Sequence, residues 1–207
     1  MFALTEDRLN ILTEALRELS QEHCLGLSIP FFDEDELAGL INEARALPMR
    51  RARDRVSHKG IVVTQDFHIC FPAPRQGAME KLCHLLEQGL NQASTNCQHP
   101  VLKNPYHIND LAVQDYPAGS KGIGIHRDGL RYRQIVIIIT LAGQSRLCLC
   151  DDRDGNGATV IDDSPGHLVL LSAPDFAGRD GDNGRPLHFV DQVTDGRLSI
   201  GLRQELT

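Results

Sequence analysis

The chain has 207 residues, 41% hydrophobic and 24% charged, which suits one globular domain with a sizeable core. Its formal net charge of −7 argues against a broad electrostatic grip on nucleic acid, and no apolar run approaches the roughly 20 residues that span a bilayer. The charged, helix-patterned start is unlike a signal peptide and the six cysteines show no Cys-x-x-Cys spacing, so the chain reads as a reduced, cytoplasmic protein.

Residues 4–19 repeat Leu, Ile and Ala at helical intervals with charges between them, an amphipathic helix. A short strand, LGLSIPFF, follows. Asp33 then stands as the N-cap of a second helix whose first turn is acidic and which Pro48 terminates. The basic stretch 49–59, MRRARDRVSHK, has no apolar periodicity and reads as a loop, either a solvated turn or a binder of phosphate or acidic substrate. GIVVTQDFHICF reads as strand structure closed by Pro72 and Pro74. The next segment, GAMEKLCHLLEQGLNQA, is a helix with Met79, Leu82, Leu85, Leu86 and Leu90 along one stripe.

Beyond about residue 109 the texture changes to short strands separated by Gly, Pro and Asp turns, as in an all-β sandwich or barrel. The strands expected are 111–116, 122–128, 134–141, 146–151, 167–172, 187–193 and 197–204. The architecture expected is α+β, a single domain 1–207 in which helical support (1–108) packs on a β core (109–207) that holds the chemistry. Asp152-x-Asp154-x-Asn156-Gly157 with Asp163 matches a calcium-loop pattern, but strands flank it, so it reads as an acidic β-hairpin loop. The Gly- and Asp-rich segment 174–186 is either a surface loop or a flap that closes on substrate. Cys148 and Cys150 read as two small buried thiols, and His58, His68, His84, His99 and His107 lack ligand spacing.

In the strand 122–128, period-two alternation puts Gly124, His126 and Asp128 on one face, with glycine leaving room beside an imidazole and a carboxylate that converge on a metal ion. His188 starts a later strand and supplies a third ligand. The last strand turns Arg197, Ser199, Gly201 and Arg203 one way and Leu198, Ile200 and Leu202 the other. Two guanidiniums, a hydroxyl and a glycine gap on one face make a carboxylate receptor, because a planar fork matches a carboxylate bidentately. Two histidines and a carboxylate form the facial triad of non-haem Fe(II), which leaves coordination positions open.

The pattern His126-x-Asp128, His188 and Arg197-x-Ser199 resembles the Fe(II)/2-oxoglutarate-dependent dioxygenases, over about residues 109–205. Within that superfamily the layout looks most like the AlkB branch, whose tyrosine turn and terminal strand correspond to Gln114-x-Tyr116 with Pro117-Ala118-Gly119, and to Arg197-x-Ser199-x-Gly201-x-Arg203. The resemblance implies a double-stranded β-helix (jelly roll) core, with Fe(II) on His126, Asp128 and His188 as the catalytic centre. It implies 2-oxoglutarate as co-substrate, its far carboxylate on Arg197 with help from Tyr116 and Ser199, Gln114 nearby, and Arg203 near Asp128 or the metal-bound end. Dioxygen would be consumed and a substrate C–H hydroxylated, with succinate and CO2 as co-products. An acidic chain without Trp favours a small molecule or an amino-acid side chain as substrate, while an AlkB-like layout and the basic strip fit demethylation of alkylated nucleic acid. A cupin-like dicarboxylate binder without turnover is the non-enzymatic alternative.

Overall fold

A computed structural model describes residues 2–58 and 60–206, without the side chain of His58. Lys59, the last cation of the basic stretch, lies outside the described residues. The first helix, α1 (Glu6–Leu19), starts where the Thr5 side chain accepts the Arg8 N–H, and it buries Leu12, Ala15, Leu16 and Leu19. Helix α2 (Glu34–Arg45) opens on a full capping box: Asp33 accepts from the Glu36 N–H, and the Glu36 carboxylate reaches back to the Asp33 N–H. Glu36 also pairs with Arg8, tying the first turns of the two helices together. The longest helix, α3 (Gly77–Asn96), buries the Met79, Leu82, Leu85, Leu86 and Leu90 stripe read from the sequence. It crosses α1 at Gly89, where a Cβ would stand 2.6 Å from Leu12 Cδ1.

Among the described residues, thirteen strands make two antiparallel sheets. The larger contains β1 (Gly26–Pro30), β2 (Arg50–Arg51), β5 (His68–Cys70), β6 (Asp110–Tyr116), β8 (Tyr132–Gly143), β11 (His167–Ser172) and β13 (Arg197–Glu205), in the order β1-β11-β8-β13-β6-β5-β2. The smaller contains β3 (Arg55–His58), β4 (Ile61–Asp66), β7 (Gly122–His126), β9 (Arg146–Cys150), β10 (Thr159–Ile161) and β12 (Leu187–Asp191), in the order β10-β9-β12-β7-β4-β3. The residues before 109 are therefore not helical alone; they add strands to both sheets.

Alternation along the central strands separates two cores. Ile135, Ile137 and Ile139 of β8, and Leu198, Ile200 and Leu202 of β13, join the helices in one apolar layer. Val136 of β8, Val169 and Leu171 of β11, and Phe67, Ile123, Leu147 and Val190 fill a second layer. The order is thus helices, larger sheet, smaller sheet.

Three expectations are corrected. The basic stretch is not a loop: Arg50–Arg51 pair with β5, and Arg55–His58 form a hairpin with β4. Backbone pairing across a hairpin needs no apolar periodicity when both faces are partly wet, which is why the pattern gave no sign. The strand carrying His126 ends there, and Asp128 lies in the following turn. Gly124 gives its space to the neighbouring strand and not to a ligand: a Cβ would stand 2.9 Å from Thr64 Oγ1. The segment 174–186 folds into two short 3-10 turns, Phe176–Gly178 and Gly181–Gly184, pinned by the fully buried Phe176. In the β9–β10 hairpin, the Asp152 carboxylate accepts from Asp154 N–H, Asn156 N–H and the Asn156 amide, so its oxygens close the turn, as an acidic hairpin requires.

Candidate active site

The residues singled out by the sequence meet between the two sheets, in a cavity of about 360 Å³ lined by His126, Asp128, His188, Arg197, Arg203, Gln114 and Tyr116 among others. Strands β7 and β12 pair antiparallel with His126 opposite His188. The next matched pair is Ile123 with Val190, so three steps on β7 face two on β12, and the strand bulges between them. Strict alternation would turn Ile123 and His126 to opposite faces. The bulge brings both to the cavity.

The two imidazole rings lie 4.2 Å apart, centroid to centroid. His126 Nδ1 is 2.8 Å from the Gly124 carbonyl and His188 Nδ1 is 3.2 Å from the Pro186 carbonyl. A carbonyl only accepts, so each Nδ1 carries a proton, and Nε2 is the nitrogen left to face the cavity. Burial, reinforced by the neighbouring His188, pushes the His126 pKa down to about 4, so that ring is neutral near neutral pH. His188 Nε2 lies 3.5 Å from Asp128 Oδ2. Burial alone would raise the Asp128 pKa, but Arg203, the two histidines and Arg185 outweigh it and hold the carboxyl below its ordinary range. Arg185, at the end of the 174–186 segment, donates to the Asp128 carbonyl and fixes the turn that follows β7.

Two imidazoles with Nε2 turned to the cavity, beside an ionised carboxylate, are a donor set suited to a divalent transition metal. Among the described residues no group of three or more His, Cys, Asp or Glu side chains stands in position to hold a metal ion. Asp128 instead leans between His188 and Arg203, whose Nε is 3.5 Å from Oδ1.

Strand β13 builds the other end of the cavity. Arg197 is fully enclosed; its Nε lies 3.1 Å from Asp163 Oδ2, and its Nη1 donates to Ser199 Oγ at 2.7 Å. The third nitrogen, Nη2, is buried without a partner. A buried guanidinium N–H left unpaired costs free energy, and a carboxylate entering the cavity would satisfy it. Tyr116 lies beside this guanidinium, 5.4 Å from Cζ to ring centroid, and burial pushes its phenol pKa up to about 12. Gln114 pairs across from Ser199 on the neighbouring strand. Arg203 bridges Asp128 and Asp110, with Nη1 3.1 Å from Asp110 Oδ1, and its Nε too lacks a hydrogen-bond partner. The gap at Gly201 is filled by this arginine folding back, since a Cβ there would stand 3.0 Å from Arg203 Nη2.

Sequence reasoning missed Asp110, Tyr132, Asp163 and Arg185. Asp110 shares the cavity-facing parity of Ala112, Gln114 and Tyr116 along β6, so a period-two reading extended one step back would have found it. Asp163 belonged to the calcium-like pattern but turns away from that loop to Arg197, and it also accepts from Ser145 and Thr140.

No family model and no curated protein matches the chain. Solved structures do. A prolyl hydroxylase from Trichoplax adhaerens, in complex with a hypoxia inducible factor oxygen degradation domain peptide fragment, superposes with a TM-score of 0.64 at 15% identity, over 98% of this chain and 94% of that one. A Pseudomonas putida prolyl-4-hydroxylase gives 0.62 at 19% identity, over 95% and 100%. A 2OG-Fe(II) oxygenase family oxidoreductase from Burkholderia pseudomallei gives 0.63 at 16% identity, over 98% and 92%. This chain, two antiparallel sheets with helices packed on one of them, has a fold similar to that of prolyl hydroxylases and other 2OG-Fe(II) oxygenases.

Proposed function

We propose that the chain is an Fe(II)- and 2-oxoglutarate-dependent oxygenase that hydroxylates a C–H bond, with an amino-acid side chain or a small molecule as substrate. One observation carries the reading: two imidazoles and an ionised carboxylate at one end of a cavity, and an unpaired buried guanidinium nitrogen at the other. The facing sheets are read as a double-stranded β-helix, or jelly roll, and the whole chain as one catalytic unit. The fold likeness to hydroxylases supports the same conclusion.

In this reading His126, Asp128 and His188 hold the iron. Arg197 and Ser199 receive the far carboxylate of 2-oxoglutarate, while Tyr116 and Gln114 wall that end. Iron and 2-oxoglutarate, when bound, supply the oxidising chemistry, which releases succinate and CO2 as the substrate C–H is hydroxylated. The chain's own part is positioning and charge balance. The Gly124 and Pro186 carbonyls keep both Nδ1 protons in place, which aims Nε2 inward. Arg203, anchored on Asp110, keeps Asp128 ionised. Apolar side chains of the inter-sheet layer (Phe67, Ile123, Val190) limit water at the site.

The AlkB-type demethylase reading rests on the tyrosine turn, the terminal strand and the basic strip, and the fold likeness to prolyl hydroxylases favours hydroxylation over it. The test pairs two variants. Asp128→Ala is expected to lose both Mn(II)-dependent thermal stabilisation and substrate-linked succinate release, whereas Arg197→Ala keeps the metal response and loses the added stabilisation by 2-oxoglutarate. Full succinate turnover in Asp128→Ala would overturn the ligand assignment. A protein that takes up no iron and decarboxylates no 2-oxoglutarate would instead fit a non-enzymatic dicarboxylate binder.

A further inference from the structure

The protein is acidic overall, but its cavity is not. Its lining includes four arginines (Arg127, Arg131, Arg197 and Arg203) and one carboxylate, Asp128. The last three of these five are absorbed by the reading above, since Arg197 and Arg203 serve the co-substrate and Asp128. A second cavity of about 330 Å³ adjoins the first, sharing Val56, Gln65 and Ile69 with it, and is otherwise lined by Arg50, Ala52 and Arg53. The two share a wall and together make a trough that runs from His126 and His188 out along the β3–β4 hairpin.

The cations of the outer trough are free to act. Arg51 is already paired with Asp54 and Asp66. Arg50, Arg53 and Arg55 are exposed, and among the described residues none of them has a carboxylate partner. Two apolar side chains, Val56 at 40% and Phe71 at 37% exposure, border the same opening. Unpaired arginines beside partly exposed apolar side chains suit a chain with both carboxylates and hydrocarbon to offer.

We infer that the trough is the binding site for an acidic polypeptide segment, whose target side chain enters the inner cavity while flanking Asp or Glu residues lie on Arg50 and Arg53. The lack of any tryptophan favours a peptide over a nucleic acid, whose bases need stacking partners, and a few flanking carboxylates meet less repulsion from a net charge of −7 than a continuous phosphate backbone does. The inference rests on the hydroxylase reading for what happens inside the cavity, but binding in the outer trough is measured without turnover.

Fluorescein-labelled peptides with a randomised centre, flanked by glutamates, serines or lysines, would be titrated by anisotropy against the Mn(II)- and 2-oxoglutarate-loaded protein, with single-stranded oligo(dT) alongside. The glutamate-flanked pool is expected to bind about tenfold more tightly than the serine-flanked one at low salt, a gap that closes in an Arg50→Ser, Arg53→Ser double variant. Both arginines are surface residues, so this variant keeps its fold, and an unchanged uncoupled decarboxylation of 2-oxoglutarate would verify it. Equal binding of all three pools, a preference for lysine, or indifference to the double variant overturns the inference. So does tighter binding of oligo(dT) that the double variant abolishes, which would assign the strip to nucleic-acid phosphates. Loss of decarboxylation in the parent protein, with the glutamate preference intact, would instead count against the oxygenase reading.

Discussion

Replacement of Asp163 by alanine tests whether Arg197 is a held group or an ordinary buried arginine. The pair is almost wholly enclosed, with 1% of the Arg197 side chain and 6% of the Asp163 side chain exposed, and Nε–Oδ2 is 3.1 Å. Without Asp163 the guanidinium keeps only Ser199, and its charge stays buried because β13 lies in the middle of the larger sheet. Breaking one side of such a pair costs about 3–5 kcal/mol, whereas an exposed pair is worth about 0–1 kcal/mol. The internal control is the Arg146–Asp191 pair, which has comparable contacts of 2.7 and 2.6 Å but side chains 40% and 33% exposed. Urea unfolding at neutral pH should therefore separate Asp163→Ala, several kcal/mol less stable, from Asp191→Ala, within about 1 kcal/mol of the parent, at a constant m-value. Asp163→Asn, which keeps a hydrogen-bond acceptor without the charge, should fall between them. Near-equal losses for Asp163→Ala and Asp191→Ala would refute the idea that Asp163 holds Arg197 in place.

Other consequences are as direct. Gly122 has φ +77° and a Cβ there would stand 1.8 Å from the Val190 carbonyl oxygen, so Gly122→Ala should cost about 2 kcal/mol or more and loosen the β7–β12 pairing that sets His126 against His188, read as a lower melting temperature and a weaker metal response. Glu87 binds Arg75 and the Ile108 N–H; burial raises its pKa, but these partners outweigh that and leave it below the ordinary 4.5. Its contribution to stability is accordingly full above that value and fades as pH falls through the lower, folded pKa. The stability gap between the parent and Glu87→Gln should shrink on acidification below about pH 4.5 and hold steady above it. Thr5→Ala removes the N-cap of α1 and should lower stability by about 1 kcal/mol in the same urea assay.

Periodicity carried far where one side chain answers to one face. The β13 pattern, Arg197 to Arg203 inward and Leu198 to Leu202 outward, was readable residue by residue, because a central strand between two filled layers has no freedom to slip. The helices were equally plain, since α3 shows one unbroken stripe. The bulge in β7 was not legible: it is set by how many residues of β12 lie opposite, which depends on a strand more than sixty positions away. Residues 50–58 hid for a related reason. Their strands are short, edge-placed and wet, and only the partners β4 and β5 give them their form. Asp163 needed the fold too, as nothing local in its loop points toward position 197.

Along β13, consecutive residues answer to different masters. Leu198, Ile200 and Leu202 are held to shape by the helix layer, while Arg197, Ser199 and Arg203 are held by charge and hydrogen bonding on the opposite side. Chemistry can therefore drift at odd positions, together with their carboxylate partners Asp163 and Asp110, while even ones preserve the scaffold, so a lineage could retune its ligand pocket without first rebuilding the framework that carries it.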